Sequence, residues 1–260
     1  MSRKKWAKHE FDILKRMASN GYRDKQIADK LGRSCNAIRS QRYKRGIELI
    51  KLNRKLYKTW TNKNVWALGL LTADGSFNKK TKRNSFGVYN TDLNLVKEFK
   101  NIFGTKNKIT EVKSDRLGEK KVWRIFMSSK YLINFFKKIN AYGKKDVRNP
   151  LDSIPDEFKW AFIKGLFDGD GNIYNGTFSI AGREELIKHV YFWICSQINK
   201  KPNKIYTSTN SNKTKYFQIA PSDSINVLKL ISKHTKGTYN SGKFKKWRNY
   251  FAEELQCAIW

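Results

Sequence analysis

An internal repeat constrains the fold of this chain more than any other feature of its sequence. Two segments, WALGLLTADGSF at 66–77 and WAFIKGLFDGDGNI at 160–173, each consist of an apolar helical stretch that ends in an Asp-Gly pair. The acidic residues of the two pairs, Asp74 and Asp170, lie 96 positions apart. A chain of 260 residues with two such copies is expected to fold as two similar units related by a pseudo-twofold axis.

The segments after the two motifs have the same order of helical and strand-like hydrophobic patterns. In the first copy, the predicted elements are strands at 75–80 and 84–90, a helix in TDLNLVKEFKNIFG, strands at 108–115 and 120–128, and a helix in SSKYLINFFKKIN. In the second copy, they are a two-residue hairpin around Asn175-Gly176, a helix at 183–198, strands at 204–210 and 214–220, and a helix in SDSINVLKLISKH. The sequence therefore predicts an α+β unit at 65–260 with two αββαββα repeats, at 65–152 and 153–260.

Each motif helix has a stripe of small residues along one side. Gly69 and Ala73 are four positions apart in the first helix, and Gly165 and Gly169 have the same spacing in the second. Small residues at this spacing give a helix a flat surface on which another backbone can approach closely. The two motif helices are therefore expected to pack side by side about the pseudo-twofold axis.

This packing brings the C-terminal ends of the two helices together, with Asp74 and Asp170 beside each other. A carboxylate at a helix C-terminus is electrostatically unfavourable, and two such ends side by side are more so. A divalent cation relieves the repulsion, and Mg²⁺ prefers oxygen ligands of this kind. The carbonyl oxygens of Ala73 and Gly169 have no partner within their helices and are candidates for further ligands.

The charge of the chain points to a polyanionic partner. There are 54 Lys and Arg residues against 22 Asp and Glu, a formal net charge of +32. Such an excess concentrates phosphate and releases counterions on binding, and it excludes an ordinary metabolic enzyme as the first interpretation. Cys35, Cys195 and Cys257 are too far apart for a disulfide framework or a zinc ribbon, which predicts a reducing, cytoplasmic location. The three histidines have no metal-nuclease spacing, so a hydrolytic site has to use carboxylates, lysines and water.

Residues 1–50 are predicted to form a small helix-turn-helix domain, which a basic linker at 51–64 joins to the repeats. Gly32 turns the chain between the second and third helices, and Ser34 caps the third. The polar residues of this module are of the types that contact base edges and phosphates. The candidates are Arg33, Ser34, Asn36, Arg39, Ser40 and Arg42. A three-helix packing unit with a solvated basic face is the structural alternative.

The segments ALGLLTADG at 67–75 and IKGLFDGDG at 163–171 resemble the paired LAGLIDADG motifs of single-chain homing endonucleases. The resemblance implies a monomeric, site-specific endonuclease that hydrolyses phosphodiester bonds of double-stranded DNA across the minor groove and leaves staggered ends. It implies two or three Mg²⁺ ions, replaceable by Mn²⁺, bound by Asp74 and Asp170, and a role in a mobile genetic element. The sixth motif position, often Asp in the family, is Thr72 here in the first copy and Asp168 in the second. Asp168 is interpreted as a structural residue at the helix end.

In this family, a basic residue late in each repeat acts on the water network of the site. The candidates are Lys144 and Lys145 in the first repeat and Lys243 in the second, with plain phosphate contacts as the alternative role. The family also implies that the two sheets form a saddle in the major groove, whose polar face reads the sequence. The predicted readers are Asn78, Lys80, Arg83, Lys113, Arg116, Lys121 and Arg124 in the first repeat, and Tyr174, Asn175, Thr177, Tyr206, Ser208, Lys215 and Gln218 in the second.

Two other functions use the same scaffold and the same charge. One is a DNA-binding regulator that has lost the cutting activity. The presence of both motif acids argues against it. The other is a maturase that binds intron RNA. The predicted setting is the cytoplasm of a prokaryotic or phage-infected cell, beside the nucleoid, with an organelle as the alternative.

Overall fold

The computed structural model describes residues 6–19, 22–47, 56–78, 85–113, 121–142, 149–209 and 211–252 of the chain. The helices in these ranges are α1 (Lys8–Ser19), α2 (Asp24–Leu31), α3 (Cys35–Lys44), α4 (Asn62–Asp74), α5 (Leu93–Phe103), α6 (Lys130–Lys138), α7 (Asp156–Asp170), α8 (Glu184–Gln197), α9 (Pro221–His234) and α10 (Gly242–Tyr250), with a short 3₁₀ helix at Pro150–Ser153. The strands are β1 (Gly75–Asn78), β2 (Ser85–Asn90), β3 (Thr110–Lys113), β4 (Lys121–Ser128), β5 (Gly171–Tyr174), β6 (Thr177–Gly182), β7 (Tyr206–Ser208) and β8 (Ser211–Ile219).

The first three helices pack around a small apolar core of their own, which is formed by Leu14, Ala18, Ile27, Ala28 and Ile38. Gly32 ends α2 in the left-handed region with φ 60°, a conformation that favours glycine. The Ser34 hydroxyl accepts a hydrogen bond from the Ala37 amide and caps α3. The turn and the cap are as the sequence predicts.

The rest of the described chain forms two four-stranded antiparallel sheets with the same topology. Their strand orders are β1-β2-β4-β3 and β5-β6-β8-β7. In both, the glycine after the motif acid begins the first strand, so Gly75 pairs with Val88 and Gly171 pairs with Ile180. Asn175 and Gly176, with φ 47° and 73°, form the tight turn between β5 and β6. The predicted α+β fold with two equivalent repeats is confirmed.

The motif helices α4 and α7 form the centre of the structure, where a continuous stretch of each, 64–73 and 160–168, is buried. A Cβ atom on Gly69 would overlap the carbonyl oxygen of Phe162, and one on Gly165 would overlap that of Trp66. Only glycine allows the two backbones this approach, as the small-residue stripes predict. No helix in the described ranges is long and apolar enough to cross a membrane.

Helix α10 differs from the sequence-based prediction, which contains no element at 242–250. Its sequence, GKFKKWRNY, has few apolar positions among basic ones, and this pattern alone does not favour a buried helix. Phe244 and Trp247, three residues apart, are nonetheless buried against the core, and Trp247 stacks on Phe178. The Ser241 hydroxyl caps the helix by accepting from the Phe244 amide.

The substitution Gly165→Ala is expected to lower the free energy of unfolding by about 1–3 kcal/mol, because the added methyl group forces the two motif helices apart. Denaturation in urea, followed by circular dichroism, measures this loss. The matched control is Gly242→Ala at the start of α10, where a Cβ atom would meet no other atom within 4 Å. Alanine there is expected to be neutral or stabilising. Equal stability of the two variants would contradict close packing of the motif helices.

Candidate active site

The two motif acids are the last residues of α4 and α7. Asp74 is half-buried and Asp170 is exposed. A Cβ atom placed on Gly169 would lie 3.3 Å from Asp74 Oδ2 and would crowd the Ala73 methyl group. The Asp74 carboxylate therefore lies against the residue that precedes Asp170. The structure brings the two helix ends together at the point where the first strand of each sheet begins, as the paired motifs predict.

Asn90, the last residue of β2, holds the Asp74 carboxylate. Its Nδ2 donates to Asp74 Oδ2 at 2.7 Å, and its Oδ1 accepts from the Asp92 amide at 2.7 Å. Because both ends of the Asn90 amide have partners, its orientation is fixed. The sequence does not predict this residue, since its place beside Asp74 follows from the pairing of β1 with β2.

Lys243 lies at the other motif end. Its Nζ donates to the Gly169 carbonyl oxygen at 2.5 Å, and the side chain is otherwise exposed. The structure thus places this predicted basic residue next to Asp170. The candidates of the first repeat, Lys144 and Lys145, lie outside the described residues.

The carboxylate and carbonyl oxygen atoms at the motif ends are ligands that fit a hard divalent cation. The Gly169 carbonyl oxygen already accepts a cationic group, the Lys243 ammonium, and a carbonyl has a second lone pair. Among the residues that the structure describes, no group of three or more His, Cys, Asp and Glu side chains is arranged to hold a metal. Asp74 and Asp170 would therefore supply two carboxylates and leave room for water and phosphate oxygens. This is the usual ligand set of Mg²⁺ in phosphate chemistry.

Asp168 is a structural residue, as interpreted from the sequence. It is buried, and it accepts hydrogen bonds from Trp66 Nε1 at 2.7 Å and from the Ser241 hydroxyl. Burial raises its pKa, against the opposing effect of Lys164, whose Nζ lies 4.0 Å away. Burial also lowers the pKa of Lys164 to about 8. In the first repeat, Thr72 occupies this position and donates to the Leu68 carbonyl oxygen.

Two predicted DNA contacts of the N-terminal module, Arg33 in the turn after α2 and Arg42 in α3, have side chains that the module itself almost fully covers. Arg33 is buried in an ion pair with Glu10 at 2.8 Å and stacks over Trp6. Arg42 is buried in an ion pair with Asp24 at 2.7 Å. The first pair joins the turn after α2 to α1, and the second joins α3 to α2. The exposed predicted contacts are Ser34, Asn36, Arg39 and Ser40.

The strand registers decide which predicted readers lie on the open faces of the sheets. Because side chains alternate along a strand, residues two apart share a face. The open faces carry Arg124 in the first sheet and Tyr174, Thr177, Tyr206 and Gln218 in the second, with Asn175 at the hairpin turn. The pairing of β7 with β8 is irregular between Thr207 and Ser208, so the alternation does not assign Ser208 to a face. Asn78 and Lys113 end described strands, but their side chains are outside the described structure, as are Lys80, Arg83 and Arg116 entirely.

Lys121 and Lys215, which are also predicted readers, lie on the opposite faces of their sheets. Lys121 shares the face of the buried Ile125 and Met127, and Lys215 shares that of Phe217. Lys121 pairs with Glu111 at 3.5 Å, and Lys215 donates to the Thr207 hydroxyl at 2.8 Å. The predicted readers of β4 and β8 thus fall on both faces of each strand, because Arg124 and Gln218 lie on the open faces.

Comparison with known proteins identifies the class of fold. A family model described as "LAGLIDADG-like domain" matches residues 65–140. The fold is similar to that of a mesophilic variant of the homing endonuclease I-DmoI, with a TM-score of 0.52 and 21% identity over 72% of this chain and 97% of that chain. It is also similar to that of the I-LtrWI LAGLIDADG homing endonuclease, solved bound to target DNA, with a TM-score of 0.51 and 13% identity over 76% of this chain and 91% of that one.

A sequence relative points the same way. The "Probable intron-encoded endonuclease aI3" of Kluyveromyces lactis is 34% identical over 87 residues, which cover 32% of this chain. The matched part spans about a fifth, 20%, of that relative's length. The chain thus has the two-repeat fold of LAGLIDADG proteins. The family model matches residues within the first predicted repeat, and the resemblance predicted from the paired motifs is confirmed.

Proposed function

We propose that this chain is a monomeric, site-specific endonuclease that cuts both strands of DNA with divalent metal ions. The observation that carries the proposal is the pairing of Asp74 and Asp170 at two closely packed helix ends in a chain of net charge +32. When bound there, Mg²⁺ would activate water and stabilise the leaving oxygen of a phosphodiester. The similar structure of I-DmoI was solved in complex with DNA and Ca, which supports a divalent cation as the cofactor.

The residues of the chain act by holding and orienting groups around the scissile phosphates. Asp74 and Asp170 would bind the cations, and the hydrogen bond from Asn90 fixes the direction of the Asp74 carboxylate. Lys243 places a positive charge beside Gly169, where negative charge develops on the phosphate during the reaction. The Lys243 ammonium group thus adds to the positive charge of the metal ions. The pseudo-twofold arrangement favours one cut in each DNA strand.

The open sheet faces and the front module would form the DNA interface. Tyr174 is 72% exposed at the end of β5, an unusual exposure for a large aromatic side chain that has no packing role there. Arg124 and Gln218 lie on open faces with the donor and acceptor groups that read base edges. Asn36, Arg39 and Ser40 on α3 would extend the contact along the duplex. Cutting across the minor groove would leave staggered ends.

We further infer that the chain serves the spread of a mobile genetic element. The relative from Kluyveromyces lactis is described as intron-encoded, and the similar solved structures are homing endonucleases. A long target site, which two sheets and an added helix can read, suits an enzyme that must cut a genome at one place. The DNA-binding regulator and the RNA maturase become outcomes of the test below.

Mg²⁺-dependent cleavage of a randomised duplex library tests this function. Cut ends are ligated, amplified and sequenced, with EDTA in place of Mg²⁺ as the control. The expected result is one family of long related sites with a constant stagger between the two cuts. Enrichment of bound but uncut sites would indicate the regulator, and binding of structured RNA in preference to duplexes would indicate the maturase. Either outcome would overturn the proposed endonuclease.

A further inference from the structure

The segment between α9 and α10, together with the first turn of α10, contacts the C-terminal end of the motif helix α7. Ser241 donates to Asp168, two residues before Asp170, and Lys243 donates to the Gly169 carbonyl oxygen. The buried Lys164 of α7 fastens the start of the segment through the Thr238 hydroxyl, at 2.9 Å, and the Tyr239 carbonyl oxygen. The segment belongs to the second repeat and is held against the motif helix of that repeat.

Tyr239 carries this segment across to the first repeat. Its ring packs 6.1 Å from that of Trp66 on α4, and its hydroxyl donates to Asp92 Oδ2 at 3.1 Å. Burial and the Asp92 carboxylate raise the pKa of Tyr239 to about 12, so the hydroxyl is protonated and remains a donor at neutral pH. The contact joins residues 147 positions apart.

Asp92 connects Tyr239 to the candidate metal site. The Asp92 side chain also caps α5, because its Oδ1 accepts from the Asn94 and Leu95 amides. Its own amide donates to Asn90 Oδ1 at 2.7 Å, and Asn90 Nδ2 donates to Asp74 Oδ2 at 2.7 Å. An unbroken series of hydrogen bonds therefore runs from Tyr239 of the second repeat to the motif acid of the first.

We propose that Tyr239 is a positioning residue, through which the second repeat sets the place of the Asp74 carboxylate by way of Asp92 and Asn90. The inference rests on the proposed function, because it assigns Asp74 to the metal site. Tyr239 acts through other residues and is not assigned contact with DNA or metal. The series makes the first centre depend on the docking of the second repeat, so that the site is complete only when both halves are in place.

The substitution Tyr239→Phe tests the proposal, since it removes the hydroxyl and keeps the ring against Trp66. Partners in the outer shell of a metal site typically contribute about 10–100-fold to activity or metal affinity. We therefore expect single-turnover cleavage of the target to slow by about tenfold. Affinity for the target, measured in Ca²⁺, is expected to stay within about twofold, because the DNA-facing groups are unchanged. Calorimetric titration of the DNA complex with Ca²⁺ is expected to show several-fold weaker binding.

The control is Tyr191→Phe, which removes a hydroxyl that accepts from the Asn203 amide in the second repeat. It is expected to leave the cleavage rate and the Ca²⁺ affinity unchanged. A double-mutant cycle with Asn90→Ala separates positioning from a general structural effect. If Tyr239 acts through Asn90, the double variant is no slower than Asn90→Ala alone.

The proposal is overturned if Tyr239→Phe matches Tyr191→Phe in rate and Ca²⁺ affinity, or if the effects of Tyr239→Phe and Asn90→Ala multiply. A wild type that binds its target without cutting would instead overturn the proposed function. In that case the Ca²⁺ titrations of the same variants still decide whether Tyr239 positions Asp74.

Discussion

Asp74→Asn and Asp170→Asn are each expected to abolish cutting of both strands while binding to the target is retained. Each substitution removes one of two carboxylates on which cation binding depends, and it keeps the size and shape of the side chain. Loss of a single electrostatic stabiliser costs about 10²–10³-fold in rate, and loss of a metal-binding carboxylate is expected to exceed about 10³-fold. Single-turnover cleavage in Mg²⁺ measures the rate, and fluorescence anisotropy in Ca²⁺ measures binding.

The same substitutions should not destabilise the protein. Both acids end their helices, where a negative charge opposes the helix dipole. Replacing either by a neutral amide is expected to leave the free energy of unfolding unchanged or to raise it by about 0.3–1 kcal/mol without metal or DNA. In Asp74→Asn, the side-chain carbonyl oxygen can still accept from Asn90. Loss of activity together with retained or increased stability is the result expected of a site that conserves charge for function rather than for folding.

Asp156→Asn provides the matched control, since it makes the same change of charge at an exposed position near the start of α7, where Asp156 pairs with Lys159. It is expected to cut at the rate of the wild type. If Asp74→Asn or Asp170→Asn also cut normally, the assignment of the metal site to the motif ends would be wrong. Loss of target binding in either variant would mean that these carboxylates support the interface rather than the chemistry.

Local patterns in the sequence account for the part of the fold that could be predicted. The glycine stripes of the motif helices require a close helix pair, and Asn175-Gly176 requires a tight turn, so neither depends on knowing the rest of the structure. The site acids follow directly, because a helix pair with matched ends places Asp74 beside Gly169. These features are encoded within a few residues of where they act.

The remaining features depend on long-range pairing, which such patterns do not contain. Asn90 reaches Asp74 only because β2 pairs with β1 in one register, and Tyr239 reaches Asp92 across 147 positions. Lys121 and Lys215 can be assigned to a face only once the strand register is known, since the side chains of a strand alternate with a period of two. Arginine is a residue type that commonly contacts DNA, so the sequence alone suggests that role for Arg42. Only its ion pair with Asp24 reveals its structural role.

Affinity for DNA is expected to fall by about 10³-fold or more between about 50 and 200 mM salt, as it does for proteins that neutralise six or more phosphates. The net charge of +32 is the reason, because bound phosphates release their counterions and added salt opposes that release. Anisotropy titrations at five or more salt concentrations give the slope of log affinity against log salt. The slope reports how many of the cations contact phosphate.

Two basic side chains, one on an open sheet face and one on a helix, test which part of the protein contributes to this slope. Arg124 is exposed on the open face of the first sheet, and Arg124→Ala is expected to reduce the slope by about one if it contacts a phosphate. Lys188 is the control of equal charge. It pairs with Glu184 at 2.6 Å on α8, and Lys188→Ala is expected to leave the slope unchanged. Both variants lower the net charge by one. The comparison therefore separates a direct phosphate contact from the effect of the overall net charge on binding.

An equal change of slope in the two variants would show that the sheet face does not meet the backbone of the duplex, and the saddle would then need another orientation. An affinity that does not depend on salt would contradict the electrostatic basis of binding altogether. The expected difference matters for the mechanism, since phosphate contacts fix the register of the protein on the duplex but carry no sequence information. In the proposed endonuclease, selection of one site among many therefore has to come from polar groups on the same open faces, such as Gln218, rather than from the phosphate contacts.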